Sequence, residues 1–343
     1  MSRYLSLIPG LILSTLCSAA LAHHSRAEFT GDVIELEGEL LEVDWRNPHP
    51  RFVLQVSEIP ADVWEIQVYG SVASLGRAGI KASSFPVGER ITVAGLASSR
   101  RQNFLLGSHA LLTSGLEAVL QYNAGPHWSG DHIGGSGGER IDESALAEAA
   151  AEDRGLFRVW SVPSTETAIA AAAGFVQSIP PFTEAALAAR GSWDLTDNPV
   201  TRCEQPWIPM AMFTPLAREF IDNGDTLTLR IEYLSGGVRT IHLAEPAANI
   251  FKERSRMGRS LGRWEGNTLV VETDLIDAPA LDNRGTLQSP EMRVTERFTL
   301  SDDQSRLDYE LVMRDPQAFQ GPVTFRFQYL ALGEEFLPQC EAP

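Results

Sequence analysis

The sequence predicts an all-β protein in two parts, an OB-like five-stranded barrel followed by an antiparallel meander barrel or curved sheet. Three observations carry this. Short runs alternate polar and apolar residues, turn residues punctuate them at close intervals, and a glycine-rich break separates one series from a second.

Residues 1–22 precede both parts and read as an export signal. Arg3 supplies the positive start, Leu5 to Leu16 the apolar middle, and Ala20 and Ala22 the small residues that a signal peptidase prefers. Cleavage after Ala22 makes His23 the mature amino terminus. The apolar run is too short for a mature membrane span, and no later stretch approaches about 20 uninterrupted apolar residues. Cys17 follows the bulky Leu16, a poor fit to lipid attachment. The expectation is a soluble protein, periplasmic or secreted, with no membrane insertion after processing.

Residues 23–121 form the first barrel in this reading. Val33 to Trp45 is one long strand with Gly38 as a bend, and Arg51 to Val56 and Val63 to Tyr69 alternate in the same way. Small residues around Leu75 suit a short helix. Phe85-Pro86-Val87-Gly88-Glu89 turns the chain into Arg90 to Leu96, and Asn103 to Leu112 closes the set. Five strands with a helix between the third and fourth is the OB layout. Residues 122–154 read as a glycine-rich linker followed by a short solvated helix over Glu143 to Asp153.

Residues 155–343 open with the strand-like Phe157 to Ser161. Thr183 caps a helix that runs to Arg190. Asn223-Gly224-Asp225, Gly236-Gly237 and Glu265-Gly266-Asn267 are hairpin turns between Thr226–Tyr233, Val238–Leu243, Ser260–Trp264 and Thr268–Thr273. Met292–Leu300, Arg306–Met313 and Val323–Tyr329 complete the meander.

Formal charge is −17, and −18 once Arg3, the only charge in residues 1–22, is removed. Such acidity opposes nucleic acid as a partner, because phosphate binding needs clustered Lys and Arg. Cys203 and Cys340 remain after processing, and in an exported chain they suit a disulfide closing a long loop; the alternative is two buried thiols. Neither has zinc-ligand neighbours.

His23-His24-Ser25 followed by Trp45-Arg46-Asn47-Pro48-His49 resembles a family of exported bacterial proteins with a small β-barrel and no assigned function. The second part resembles another such family through Asp197-Asn198-Pro199 with Cys203, the run from Gly262-Arg263-Trp264-Glu265-Gly266 to Val271, Glu296-Arg297-Phe298, and Asp315-Pro316. It departs from that pattern where relatives carry His, at Arg259, and in its ending Cys340-Glu341-Ala342-Pro343. The resemblance implies fold and location rather than activity.

Three constellations carry potential chemistry. A terminal His23 offers amine and imidazole in one chelate ring, and His24 or His49 adds further nitrogen. Nitrogen-rich tetragonal sites select copper(II), and the α-amine, of pKa about 7.7–8.0, yields its proton readily to a metal. Cleavage after Ala20 instead places His23 third, again a square-planar site for copper or nickel. His49 sits between Pro48 and Pro50, which stiffen the backbone, with Trp45 and Asn47 near the same rim. His127, Asp131 and His132 lie among glycines and read as solvated linker. In the second part, Arg263, Glu265 and Glu296 are the candidate catalytic residues. Turn chemistry is the competing reading, with Trp264 packed inward. No His-Glu-x-x-His, phosphate loop or dinucleotide fingerprint is present.

The expectation is an exported binding protein with copper at His23, His24 and His49 and a small-molecule ligand in the second barrel. The alternatives are a secreted enzyme acting on a small organic or glycan substrate, and a structural partner in an envelope assembly. Nothing in the sequence sets the oligomeric state.

Overall fold

A computed structural model describes residues 28–46, 49–58, 61–128, 130–164, 182–193, 199, 204–214, 216–232, 236–244, 253–282 and 284–336. Two β-sheets account for most of them.

The first contains β1 (Phe29–Asp44), β2 (Arg51–Glu58), β3 (Ala61–Val68), β4 (Arg90–Ser98), β5 (Phe104–Leu111), β6 (Glu117–Val119) and β7 (His132–Gly134). The order is β3-β2-β1-β4-β5-β6-β7, and an added parallel pairing of β3 with β5 closes five strands into a barrel. A short helix, α1 (Val72–Arg77), lies between β3 and β4, as the OB layout expects. Ser71 and Ser74 cap it reciprocally: Ser74 N donates to Ser71 Oγ at 3.2 Å and Ser71 N to Ser74 Oγ at 3.0 Å.

β1 serves two partners, β4 along its first part and β2 along its second. Gly38 is where this becomes possible, because a Cβ there would collide with the Gln55 carbonyl and the Leu54 side chain. Leu36, Leu40, Phe52, Leu54, Ile66, Val93 and Leu105 fill the interior, while Glu35, Glu37 and Glu39 alternate outward.

The glycine-rich segment departs from the linker reading. β7 pairs in parallel with β6, so the segment folds back on the barrel. Glu117, fully buried, accepts the backbone N–H of His127 at 2.5 Å and of Trp128 at 2.9 Å. One carboxylate thus binds a strap in which hydrophobic contacts are few. The following helix, α2 (Glu143–Ala151), is capped by Asp142 and buries Ala149 in the second core, so it is not a freely solvated bridge.

The second sheet runs in sequence order through β8 (Val159–Trp160), β9 (Arg218–Asp222), β10 (Thr226–Ile231), β11 (Gly237–His242), β12 (Arg259–Glu265), β13 (Thr268–Asp274), β14 (Arg293–Leu300), β15 (Arg306–Arg314) and β16 (Val323–Leu330). All neighbours are antiparallel except β11 and β12, which pair in parallel through Ile241 with Ser260 and His242 with Leu261. Ser161 and Leu330 exchange backbone hydrogen bonds of 2.9 and 2.8 Å, drawing the two ends of the sheet together into a nearly closed barrel. Helix α3 (Glu184–Ala189) starts as the sequence predicts, with Thr183 Oγ1 accepting from Ala186 N at 3.1 Å.

Trp160, Phe220, Leu229, Ile241, Val271, Phe298, Tyr309 and Tyr329 are among the side chains filling this barrel. Burial on that scale is the main stabilising term, at roughly 1.5–3 kcal/mol for each large side chain. Arg77 of α1 ties the barrels together, donating to Val162 O at 2.5 Å and pairing with Glu334 at 3.4 Å.

Candidate functional site

His49 stands at the rim of the first barrel, between the end of β1 and the start of β2. Its ring is partly buried, with Nδ1 3.3 Å from the Gly70 carbonyl just beyond β3. A carbonyl only accepts, so Nδ1 donates in this contact. Metal-ligating histidines are commonly oriented in this way. The adjacent Pro50 carbonyl accepts Val68 N at 2.8 Å, which fixes the loop to β3. Trp45 serves the core rather than the rim, stacking near Phe52 and Phe85 at 6.5 and 5.8 Å. Asn47 and Pro48 lie outside the described residues, as do His23 and His24.

The start of β1 packs on β5. Phe29 stacks on Phe104 at 5.9 Å and joins a cluster with Leu106, against which Tyr69 packs. Tyr69 directly precedes Gly70, the residue that orients His49. Barrel closure through β3 and β5 causes this proximity, since Tyr69 N donates to Gly107 O at 3.0 Å.

The strap histidines form a separate cluster. His127 Nε2 lies 2.9 Å from Glu35 Oε1, and its ring is 4.7 Å from Trp128 and 5.4 Å from His109. The His127 hydrogen bond holds the Glu35 carboxyl below its ordinary range. His109 is buried, with Nε2 2.9 Å from Gly125 O and Nδ1 2.8 Å from Ser108 Oγ. Burial lowers its pKa, and the backbone bond to Gly125 partly opposes this. His132 stands apart, its Nδ1 3.2 Å from Gly130 O. Among the described residues, no group of three or more His, Cys, Asp or Glu is placed to hold a metal ion.

Gly134-Gly135-Ser136-Gly137-Gly138 has the Gly-x-Ser-x-Gly spacing of a nucleophile elbow. An elbow needs a strand, a sharp turn and then a helix. Here β7 leads into a turn in which Ser136 N donates to Ala124 O at 2.8 Å and Gly138 N to Gly135 O at 3.0 Å. The spacing serves the strap.

In the second barrel, Arg263, Glu265 and Glu296 do not converge. Arg263 and Glu265 are exposed on the outer face, 3.1 Å apart, and extend into ion pairs with Glu272 at 2.9 Å and Arg297 at 3.0 Å. Those partners raise the Arg263 pKa and lower that of Glu265. Trp264 is 44% exposed at the hairpin end, contrary to the expected inward packing.

Glu296 points the opposite way, into the barrel, with no exposure. Arg239 Nη2 donates to its Oε2 at 2.5 Å and Tyr309 OH to its Oε1 at 2.8 Å. Arg239 also donates to Ser260 Oγ at 2.8 Å and to Thr273 Oγ1 at 2.5 Å. Both Glu296 oxygens are therefore occupied, and burial holds the Tyr309 hydroxyl well above its ordinary pKa. This belt crosses β11 to β15. It is built to bind strands together, since neither a free acid nor a free base is offered to a substrate.

An open groove of about 580 Å³ lies along β14–β16, bordered by the outward-facing Arg297, Thr299, Asp308, Glu310, Arg326 and Gln328. Cys203 and Cys340 lie outside the described residues.

A family of unknown function (DUF6152) matches residues 11–104, a span that contains the histidine pair, His49 and the barrel through the start of β5. No curated protein matches the chain.

Proposed function

We propose that this chain is an exported binding protein whose mature amino terminus, begun at His23, chelates copper with His23, His24 and His49. The observation that supports the reading is the His49 ring at the barrel rim, with the Gly70 carbonyl 3.3 Å from its Nδ1. Five residues lie between His23 and Phe29, so the two are at most about 20 Å apart.

In this reading the second barrel, which resembles a family through the Gly262-Arg263-Trp264-Glu265-Gly266 run, is a rigid companion, and a Cys203–Cys340 disulfide secures its end. Its interior is packed, so a small-molecule ligand belongs to the outer groove beside Arg297 and Arg326. The enzyme alternative is disfavoured by the occupied oxygens of Glu296.

The test is elemental analysis of the exported, processed protein, with its first residue fixed by mass spectrometry. Stoichiometric copper is expected when that residue is His23, falling in both His23→Ala and His49→Ala. Equal copper in all three proteins removes the site.

A further inference from the structure

The strap over the first barrel closes on a buried histidine. His109 stands on the outer side of β5, between Ala94 of β4 and Val119 of β6, while the next residue, Ala110, points into the core. Its Nε2 donates to Gly125 O at 2.9 Å, and its Nδ1 lies 2.8 Å from Ser108 Oγ. The His127 and Trp128 rings sit 5.4 and 6.4 Å from its own. Both of those residues are clamped in turn. Glu117 accepts their backbone N–H groups, and His127 Nε2 lies 2.9 Å from Glu35 Oε1. Residues 125–128 are thus held down by hydrogen bonds to ionisable side chains.

The hydrogen bonds around His109 tolerate a second proton. Ser108 Oγ also reaches Ala94 O at 3.2 Å, so its hydrogen serves Nδ1 when the ring is neutral and Ala94 when Nδ1 is protonated. What the site resists is the charge. β4 presents the neutral Ala94, β6 presents Glu117, the strap presents His127, and β1 presents Glu35 behind His127. Both Glu117 oxygens already accept from the strap backbone, and a protonated His127 adds a like charge beside the ring. Burial therefore holds the His109 pKa below its ordinary 6.5, with Gly125 and Glu117 opposing the shift and His127 adding to it. Moving residues 125–128 aside gives the ring to water, where it takes the proton at its ordinary value. The closed strap is fully favoured above that value and loses ground as pH falls towards the lowered one.

We propose that residues 125–128 are an acid-released flap, with His109 as the sensor beneath it. Proton uptake by His109 unseats the flap and bares the Glu117 carboxylate, while the barrel stays folded. The barrel does not need the flap, because Leu40, Phe52, Leu54, Ile66 and Val93 pack together on the inner side of the sheet. The inference is independent of the copper reading.

The test follows amide hydrogen exchange of the intact chain by NMR from about pH 7.5 to about pH 5, corrected for the pH dependence of unprotected amides. The His127 and Trp128 N–H groups should lose protection below pH 6.5, by up to about tenfold per pH unit for one proton. The amides of β1–β5 should keep theirs. His109 ring protons should titrate with a midpoint below 6.5, and protection should stop falling once that titration is complete. His109→Gln, which offers a donor to Gly125 and an acceptor to Ser108, should hold the flap equally well across the range. His127→Gln should loosen it by a similar factor at every pH.

A pH dependence that survives in His109→Gln and vanishes in His127→Gln overturns the assignment of the sensor. Should His109→Gln fail to fold, the wild type decides alone. Titration of His109 with unchanged protection at His127 and Trp128 overturns the flap, as does parallel loss across β1–β5, which is unfolding of the whole barrel.

Discussion

Among the described residues each barrel holds an ion pair with both side chains buried, and the two are built differently. Glu28–Arg101 sits just before the first residue of β1, with Arg101 stacked on Phe104 and the Glu28 carboxylate held by Ser98 and Arg101. Arg239–Glu296 lies wholly inside the second barrel, with partners on β12, β13 and β15. The first fixes where a chain end departs. The second fixes how strands distant in sequence align. The same chemistry at a rim fixes where a strand begins, and at a centre fixes the barrel itself.

The largest effect should come from the central pair. Removing either partner alone, by Arg239→Ala or Glu296→Ala, leaves a buried charge unpaired and should cost about 3–5 kcal/mol in urea unfolding. The double change Arg239→Met with Glu296→Leu should cost far less. Single and double variants of equal stability would show that charge is not the issue.

At the rim, Glu28→Ala should cost less, about 2 kcal/mol, because Arg101 keeps its aromatic partner Phe104. A loss matching that of Glu296→Ala would erase the distinction between the two pairs.

A smaller effect is expected from pH. Burial holds folded His109 below the ordinary value of 6.5, so on acidification the unfolded chain takes up this proton first. First-barrel stability should be complete above that value and decline as pH falls through the lowered folded pKa. His109→Gln should flatten this part of the profile in thermal melts. A slope unaltered by the substitution would assign the acid sensitivity elsewhere.

The smallest effect belongs to the outer ion pairs. Arg263→Ala and Glu265→Ala should leave the urea midpoint within scatter, since exposed pairs gain little over water. A clear loss would mean that the hairpin depends on them.

Much of the fold was legible because its signals are local. The hairpins at Gly224, Gly236 and Gly266 and the Thr183 cap each depend on neighbouring residues, and each appears where expected. What escaped depends on residues far apart in sequence. Arg239 meets Ser260, Thr273 and Glu296 at separations of 21, 34 and 57 residues, so no motif marks it. Alternation places Arg239 on an inward phase of β11, which was the available signal. The strap was misread for a related reason: its glycines suit a linker, but Gly134 and Gly135 lie too near the Val119 and Ala124 carbonyls to carry a side chain. Of the site, His49 stood out through its flanking prolines, whereas its bond to Gly70 came only with barrel closure. Glu28 and Arg101 gave no signal, since their pairing spans 73 residues.

The most direct measurement is electron–nuclear resonance on copper(II) bound to the processed protein with its histidines labelled by nitrogen-15. The account predicts coupling to imidazole nitrogens from both the chain end and position 49, with the latter contribution vanishing in His49→Ala. A spectrum identical in the wild type and His49→Ala would contradict it.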